Sequence, residues 1–462
     1  MSALDRNLPP ASGSIRDFHF PDTSRTRLEN GLDVRVARVA RLPLVSLDLF
    51  MRGGEQHLSE ERAGLAVLAA DALDGGTRRR NGIQLADAFE RLGARVSAYA
   101  GWEGTTVSLT CLADRLEEAF PLLAELVLEP DFPAPEVARA RDQRLASIRQ
   151  RAMDPAALAT DEALRCYFAE GSPYARSAGG TVASVSAQTR ASLLGYADAA
   201  YRPGGEGGLV VAGDVDAGEV VGLARKHLGS WEGSPPVGKG FESEPRTRER
   251  RIRVIHRPGS VQSEIRVGHV GAARATEDYF PLLVGNMLFG GTFTSRLNLN
   301  LRERHGFTYG VRSRFGFRSQ PGPFEVSTAV GNEVTAPAVR EIVAEMERLV
   351  ADGPTEQEVA STRDFAAGVF GLQIETVDQI ATRLTHIVVF GLEDGYFDDY
   401  RSNIRAVTVE ETAAALRRNI RPAEVQVVVV GDADEISEPL EALQLGPVDI
   451  VRAEQPQEPG RA

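Results

Sequence analysis

Thiols and long apolar runs are both scarce in this chain of 462 residues, which has only two cysteines, Cys111 and Cys166. So few thiols in a long chain are typical of a reducing compartment, so we expect both to be free and buried. No run of about 18 uncharged apolar residues occurs, which argues against a membrane-spanning helix. The first 20 residues include Asp5 and Asp17 and no apolar segment of the kind found in secretory signals, which predicts a cytoplasmic location.

Positive charge is also in short supply. The chain has 52 Lys and Arg residues against 65 Asp and Glu residues, a net charge of −13. An acidic surface repels phosphate backbones and anionic lipids, so neither nucleic acid nor a membrane is an expected partner. The hydrophobic fraction of 42% and the charged fraction of 25% are typical of a folded globular protein. Because the length exceeds what one core usually supports, we expect two or more domains.

Three local sequence matches, in the same order along the chain, indicate an internal duplication. The segment Glu-Val-Ala-Arg-Ala-Arg-Asp at 136–142 recurs as Glu-Val-Ala-Ser-Thr-Arg-Asp at 358–364. An Arg-Pro pair at 202–203 recurs at 421–422, and the strand-like run 209–213 recurs at 427–431. The separations are 222 (136 to 358), 219 (202 to 421) and 218 (209 to 427), in the same order along the chain. We therefore predict two homologous domains.

The domain boundaries follow from the repeat and from a Gly- and Pro-rich stretch at 232–240, which is typical of a linker. The predicted division is an N-terminal extension at 1–22, a first domain at 23–232, a linker at 233–246, a second domain at 247–446 and a C-terminal tail at 447–462.

Strand and helix patterns alternate within the first copy. Strands are predicted at 25–28, 33–39, 44–50, 95–100 and 105–112, and helices at 64–74, 83–93, 113–128 and 134–151. Asn30-Gly31, between the first two strands, favours a tight hairpin turn. The mixture predicts an α+β fold, in which each domain is a mainly antiparallel or mixed sheet covered by helices.

Three motifs of the first copy resemble the opening of pitrilysin- and insulinase-type metallopeptidases, the family that includes mitochondrial processing peptidase. They are Leu28-Glu-Asn-Gly-Leu32, Gly64-Leu-Ala66 and Leu73-Asp-Gly-Gly-Thr77. The likeness extends from about residue 23 to 435 and covers both copies. It implies that the two domains form half of a clamshell.

The zinc motif of that family is missing. In catalytic members the first helix carries His-x-x-Glu-His, and a later helix supplies a third ligand, Glu. The resemblance places the motif on 67–71, so that Val67, Ala70 and Asp71 replace the first histidine, the base and the second histidine. The third ligand falls on Ser147, and a helper carboxylate on Ala140. Zinc requires several nitrogen, thiolate or carboxylate ligands, and the one carboxylate that remains, that of Asp71, does not make a zinc site. We therefore expect no metal in this chain and a zinc ion in a partner subunit.

The second copy keeps a different signature, made of Leu288-Phe-Gly-Gly291, Ser295-Arg-Leu297 and the run from Leu301 to Tyr309. It resembles the arginine and tyrosine motif of the family, which implies that Arg302 and Tyr309 hydrogen-bond the scissile region of a peptide. A guanidinium and a phenol both donate hydrogen bonds to a carbonyl oxygen that gains charge.

Several structural expectations accompany that motif. Gly306 is expected to end the helix after His305, which puts Tyr309 at the start of the next strand. Gly290 and Gly291 are either a loop over the substrate or a turn between helices. Away from the resemblance, Arg302 could equally pair with a carboxylate of its own helix, and the ring of Tyr309 could cover the core.

Three functions remain open at this point. The first is a non-zinc-binding subunit of a heterodimeric peptidase, with peptide substrates and a homologous partner bearing His-x-x-Glu-His. The second is a structural or assembly subunit with no proteolytic role. The third, a hydrolase with its own nucleophile, ranks last because no Gly-x-Ser-x-Gly motif occurs.

Overall fold

The computed structural model of the chain describes residues 19–235 and 240–452. Most of the predicted N-terminal extension, four residues of the predicted linker and the last ten residues of the predicted tail lie outside these ranges. None of the described helices is long and apolar enough to cross a membrane.

The first domain contains a six-stranded sheet in the order β1-β2-β6-β3-β5-β4. Its strands are β1 (Thr23–Arg27), β2 (Asp33–Arg38), β3 (Leu44–Arg52), β4 (Arg95–Ala100), β5 (Gly104–Leu112) and β6 (Gly208–Gly213). β2 and β6 are parallel, and the other neighbours are antiparallel. The predicted hairpin between β1 and β2 is present, with Gly31 in the left-handed region at φ +88°.

Helices surround this sheet and complete the first domain. They are α1 (Leu65–Asp71), α2 (Gly82–Arg91), α3 (Leu116–Leu128), α4 (Ala134–Met153), α5 (Pro155–Tyr167), α6 (Val182–Ser186), α7 (Arg190–Ala200) and α8 (Ala217–Leu228). All the helices predicted from the first copy are present within a few residues. The helix predicted at 64–74 is shorter, because it stops at Asp71 and a 3₁₀ turn follows at Leu73–Gly75.

The second domain repeats the sheet in the order β12-β7-β11-β8-β10-β9. Its strands are β7 (Arg251–His256), β8 (Gln262–Val270), β9 (Val311–Phe315), β10 (Pro323–Gly331), β11 (Gln426–Gly431) and β12 (Val448–Arg452). The helices are α9 (Tyr279–Asn286), α10 (Thr335–Asp352), α11 (Glu356–Phe370), α12 (Val377–Phe390), α13 (Tyr400–Ala406), α14 (Val409–Asn419) and α15 (Ala433–Ala442). The fold class and the duplication predicted from the sequence are confirmed.

The outer strand beside β2 and β7 has a different origin in each domain. β1 precedes β2 and runs antiparallel to it, whereas β12 comes from the end of the domain and runs parallel to β7. β12 falls inside the segment predicted as a tail, so the ordered part of the second domain extends past residue 446. Its short alternating pattern, with residues such as Asp449 exposed, gives little strand signal.

Each domain lends one helix to the sheet of the other domain. α5 packs on β8 and β11 of the second sheet, and α12 packs on β3 and β6 of the first. One hydrophobic cluster accordingly joins Phe50, Val210 and Ala212 of the first sheet to Leu384 and Val388 of α12. The exchange covers one face of each sheet with a helix from the other domain, and it joins the two domains into a single packed unit.

Polar contacts reinforce this junction. The Arg35 guanidinium on β2, which is 3% exposed, donates to Asp394 Oδ1 at 2.6 Å. On the second sheet, Arg266 Nε donates to Thr160 Oγ1 of α5 at 3.1 Å. On the first sheet, Thr385 of α12 donates to the buried Asp48 carboxylate at 3.0 Å.

Both cysteines are free, as expected. Cys111 is buried in β5, whereas Cys166 in α5 is only partly buried. Burial raises the pKa of each thiol to about 11, so neither is a ready thiolate at neutral pH.

Candidate functional site

Helix α1, where the family resemblance places the zinc motif, is fixed by a buried carboxylate. Glu55, which is fully buried, accepts hydrogen bonds from the backbone N–H groups of Gly64, Ala66 and Val67 at 2.9 to 3.3 Å. Arg176 Nη1 donates to the same carboxylate at 3.1 Å. Burial raises the pKa of Glu55, and the bonds from Gly64 and Arg176 oppose that rise. Glu55 therefore anchors the start of α1, because it accepts hydrogen bonds from backbone N–H groups that have no partner within the helix.

The segment 177–180 is pressed against the same helix start. A Cβ atom on Gly64, which has φ +81°, would lie 2.7 Å from the Gly179 carbonyl oxygen. A Cβ atom on Gly180 would lie 2.5 Å from the Ala63 carbonyl oxygen. Glycine is required at both positions, so the wall formed by 177–180 stands at a set distance from α1.

The positions that the resemblance assigns to metal ligands meet at one cavity of about 350 Å³. Val67 and Asp71 of α1 and Ser147 of α4 all line it. Ala70, at the position of the base, is 6% exposed. The residues themselves do not suit zinc. Val67 and Asp71 stand in place of the two imidazole ligands, and Ser147 stands in place of the carboxylate of the third ligand.

A salt bridge occupies the remaining carboxylate. Arg144 of α4 donates to Asp71 Oδ2 from Nε at 2.9 Å and also from Nη2. Arg151, about two turns further along the same face of α4, donates to Asp161 at 2.8 Å, and both pairs line the cavity. A guanidinium beside the only carboxylate ligand repels a divalent cation and competes for its oxygen atoms. The cavity does not fit a zinc ion.

Strand β4 borders this cavity with the backbone of an edge strand. β4 pairs with β5 on one side and has no strand partner on the other among residues 19–235 and 240–452. Ala98, Tyr99 and Ala100 line the cavity, and the Tyr99 side chain is 72% exposed. Unpaired backbone N–H and C=O groups of an edge strand are able to pair with an extended peptide.

A different cluster within the described ranges brings possible metal ligands together: His256, Asp432 and Asp434. Their donor atoms already have structural partners. Asp432 accepts from the backbone of Gly259 and of Asp434 at the start of α15, and Asp434 pairs with Arg452. His256 Nδ1 accepts from the Ala433 N–H at 3.1 Å. These bonds account for the cluster without a metal ion.

In the second domain, the helix that carries Arg302 ends as predicted. Its last part, Asn298–Arg304, is wound as a π-helix, and Gly306 stands just beyond it in the left-handed region at φ +66°. The Gly306 N–H closes the end by donating to the Arg302 carbonyl oxygen at 3.1 Å. β9 begins at Val311, so Tyr309 lies in the turn before the strand and not at its start.

Tyr309 is 97% exposed, so its ring does not cover the core. The residues on either side of it are nevertheless fixed. Thr308 Oγ1 donates to the Ala329 carbonyl oxygen of β10 at 2.8 Å, and Thr328 Oγ1 donates to that of Gly310 at 3.0 Å. An exposed aromatic ring on a fixed turn is a recurrent property of binding sites.

Arg302 lies beside Tyr309 in the folded chain. The Arg302 Cζ atom is 3.9 Å from the ring centroid of Phe293 and 6.0 Å from that of Tyr309. Its Nε atom is 3.6 Å from Glu303 Oε1, a weak ion pair with the next residue. Neither Arg302 nor Tyr309 lines the cavity at α1. The positions of the lost metal site and the Arg302–Tyr309 pair therefore do not share this cavity.

The two candidate substrate-binding glycines have different environments. Gly290 is buried, and a Cβ atom on it would lie 2.6 Å from Ser313 Oγ of β9, so close packing requires glycine there. Gly291 is exposed at the end of the π-helical turn Met287–Gly291. Of the two, only Gly291 presents its backbone to solvent.

Sequence reasoning missed Arg144, Phe293 and the free edge of β4. Arg144 precedes Ser147 by three residues on one helix, and that spacing puts both on the same face. The pairing of Arg144 with Asp71, 73 residues away (71 to 144), has no sequence signal. Phe293 follows the glycine pair but belongs to no periodic pattern.

Two family models together match most of the chain. The model described as insulinase (peptidase family M16) matches residues 39–179, and the model described as peptidase M16 inactive domain matches residues 188–365. An uncharacterized zinc protease of Mycobacterium tuberculosis is 28% identical over 402 residues, which cover 85% of this chain and 90% of that protein. The non-peptidase homolog YmxG of Helicobacter pylori is 24% identical over 376 residues, covering 80% of this chain and 85% of that protein.

A solved structure has the same fold over nearly its full length. The peptidase M16 inactive domain from Pseudomonas fluorescens superposes with a TM-score of 0.83 at 26% identity and covers 89% of this chain and 98% of that chain. At this coverage the similarity includes both domains.

Proposed function

Because the chain belongs to the insulinase family of peptidases, peptidase family M16, we propose that it is the non-zinc-binding subunit of a two-chain zinc peptidase. In this proposal a homologous partner bearing His-x-x-Glu-His supplies the zinc ion and the general base. This chain supplies Arg302 and Tyr309 to the partner's active site in trans. The substrates are peptides.

The observation that carries the proposal is the contrast between the cavity at α1 and the surface that presents Arg302 and Tyr309. The pocket at α1 lacks the ligands and holds the Arg144–Asp71 pair, which argues against metal chemistry in this chain. The Arg302 and Tyr309 side chains are adjacent, and Tyr309 is exposed on a fixed turn. Hydrogen-bond donors held in this way have little use within the chain alone, and they suit a substrate held by a second subunit.

The chemical role of the pair follows from its donors. A peptide carbonyl oxygen gains negative charge as water attacks, and prearranged donors stabilise that charge without reorganising. Arg302 offers guanidinium N–H groups, and Tyr309 offers a phenolic O–H. The free edge of β4 supports peptide binding from the first domain, because it can hold an extended chain by backbone pairing.

Co-expression with a homologue that bears the intact motif tests the pairing. A stable complex on size-exclusion chromatography, with an interface above about 1,000 Å², is expected of a specific pair. In that complex, Arg302→Ala or Tyr309→Phe should lower peptide turnover about 10²-fold, equivalent to about 2.7 kcal/mol, and leave assembly unchanged. Arg304→Ala, an exposed arginine of the same helix, is the matched control and should keep turnover.

The alternative is a structural or assembly subunit with no proteolytic role. It explains the lost ligands equally well and leaves the fixed, exposed Tyr309 without a task. Parental kcat and KM in both the Arg302→Ala and Tyr309→Phe complexes would support this alternative and rule out the trans site. A rise in KM alone would mean that the pair holds substrate without stabilising the transition state.

A further inference from the structure

Phe293 is exposed in a way that folding does not explain. Its ring is 67% exposed in the loop between the π-helical turn and the Arg302 helix. A large apolar side chain at this exposure contributes little to the core. Among the described residues one cation lies over the ring, the Arg302 guanidinium.

The loop under Phe293 is braced on both sides. Asn298, which is 6% exposed, donates through Nδ2 to the Thr292 carbonyl oxygen and to Ser295 Oγ, both at 3.1 Å. The same Nδ2 lies 2.8 Å from the Val311 carbonyl oxygen, so its two N–H groups are shared among three acceptors, and the Val311 N–H donates back to Asn298 Oδ1 at 3.2 Å. Asn298 thus ties the Phe293 loop to the start of β9, two residues after Tyr309.

The Arg302 guanidinium lies over the Phe293 ring at contact distance, with Cζ 3.9 Å from the ring centroid. Such a contact attracts a cation electrostatically. A contact of this kind acts through the charge of the cation and takes up no oxygen acceptor, so the guanidinium keeps its N–H groups for hydrogen bonds to other partners. The guanidinium also has an acidic neighbour, because its Nε atom lies 3.6 Å from Glu303 Oε1, and the ring contact opposes a further shift of the N–H groups toward that carboxylate.

We propose that Phe293 is a positioning residue for Arg302: its braced ring holds the guanidinium beside Tyr309 with its donors turned toward a bound peptide. This role rests on the function proposed above. Phe293 acts through Arg302 and makes no hydrogen bond to the substrate itself.

The test combines turnover of the two-subunit complex with a measurement on this chain alone. Phe293→Leu should lower kcat about two- to fivefold, the effect of one exposed cation–aromatic contact, and leave KM nearly unchanged. Phe293→Tyr keeps the ring and should restore parental turnover. Leu299→Ala, another exposed apolar side chain, at 52%, on the Arg302 helix, is the control and should have no effect.

A double-mutant cycle separates an indirect role from a direct one. In an Arg302→Ala complex, Phe293→Leu should cause no further loss. The same two- to fivefold loss in both backgrounds would mean that Phe293 acts on substrate by itself, which overturns the proposal.

The isolated full-length chain gives a readout that does not need the partner. By NMR, the Arg302 side-chain protons should carry a ring-current shift that disappears in Phe293→Leu and persists in Phe293→Tyr. An unchanged Arg302 signal in Phe293→Leu contradicts the positioning role. Parental turnover in the Arg302→Ala complex contradicts only the proposed trans function, so the two failures are distinguishable.

Discussion

The central strands of the two sheets carry opposite charges at equivalent positions. Asp48 of β3 lies in register between Val210 and Ser108, and Arg266 of β8 lies in register between Val428 and Ser327. Both side chains are almost fully buried, at 7% and 6% exposed. Each faces a threonine of the helix that the other domain contributes, Thr385 for Asp48 and Thr160 for Arg266.

The two charges are satisfied by different means. Arg266 distributes its N–H groups over Thr160, the Glu264 carboxylate and the backbone carbonyl oxygens of Ala156 and Ile265, at 2.9 to 3.1 Å. Asp48 has only the hydroxyl groups of Ser108 and Thr385, and no cation pairs with it in the described part of the chain. Duplication preserved the backbone and the place for a polar group, while the chemistry in that place diverged.

The candidate sites diverged in the same manner. The first domain keeps the cavity beside α1 but fills its ligand positions with side chains unsuited to zinc. The second domain keeps Arg302 and Tyr309 on its surface. A shared scaffold therefore says little about which of the two domains performs chemistry.

Arg266→Met is the change with the largest expected effect. Removing the guanidinium takes one hydrogen bond from each of the carbonyl oxygens of Ala156 and Ile265, leaves Glu264 without its cation, and removes a link between β8 and α5. We expect a loss of about 2–3 kcal/mol in the free energy of unfolding. Urea denaturation monitored by circular dichroism measures it.

The matched control for Arg266 is Arg312→Met. Arg312 pairs in register with Ser327 as Arg266 does, but its side chain is exposed. Its substitution should change stability by no more than about 0.5 kcal/mol. Equal losses for the two variants would mean that Arg266 contributes no more to stability than a surface arginine, which contradicts the role given to its buried hydrogen bonds.

Rebuilding the zinc pocket tests the comparison between the domains at the site. The parental chain should hold no stoichiometric zinc after dialysis against a mild chelator, as measured by elemental analysis. Placing His, Glu, His and Glu at Val67, Ala70, Asp71 and Ser147 restores the donor set but leaves Arg144 in the cavity. Because a nearby cation repels zinc, Arg144→Ala added to these changes should raise zinc affinity about tenfold or more.

Arg149→Ala is the control for that experiment, since Arg149 is exposed on the same helix. Added to the four ligand changes, it should leave zinc affinity as it was. Stoichiometric zinc in the parental chain would contradict the reading of the cavity outright. Equal affinities with and without Arg144 would show that the missing ligands alone exclude the metal.

Much of the fold was predictable because its signals are local. The strand pattern around Asn30-Gly31, the helix from Ala134 and the repeat between 209–213 and 427–431 each depend on neighbours in the chain. The common offset of the repeats then fixed the number of domains.

What the sequence left undecided depends on tertiary contacts. The exchange of α5 and α12 gives no sequence signal, because a helix has the same apolar stripe whichever sheet it covers. The exposure of Tyr309 was likewise open, because a ring before a strand is as common in a core as on a surface. The Arg144–Asp71 pair joins helices far apart in sequence, so only the folded chain brings the two charges together.

Asp48→Asn should have the smallest effect on the free energy of unfolding, and the size of that effect should depend on pH. Burial raises the pKa of the Asp48 carboxyl, and the charge of Asp378 adds to that rise. The folded state therefore binds the proton more tightly than the unfolded state, so this contribution to stability is present at low pH and is lost as pH rises through the folded pKa.

Asparagine removes the buried charge. Its amide can donate to Thr385 Oγ1, which frees that hydroxyl to donate fully to the Ala381 carbonyl oxygen at 2.9 Å. At pH 8 the free energy of unfolding of the variant should equal the parental value or exceed it by less than about 1 kcal/mol, and this gain should shrink toward acid pH.

The control is Asp142→Asn, at an exposed position of α4, which should keep the parental pH profile. A pH-independent difference between Asp48→Asn and the parental chain would mean that Asp48 titrates alike in the folded and unfolded states, and the contrast with Arg266 would then lie in hydrogen bonding alone.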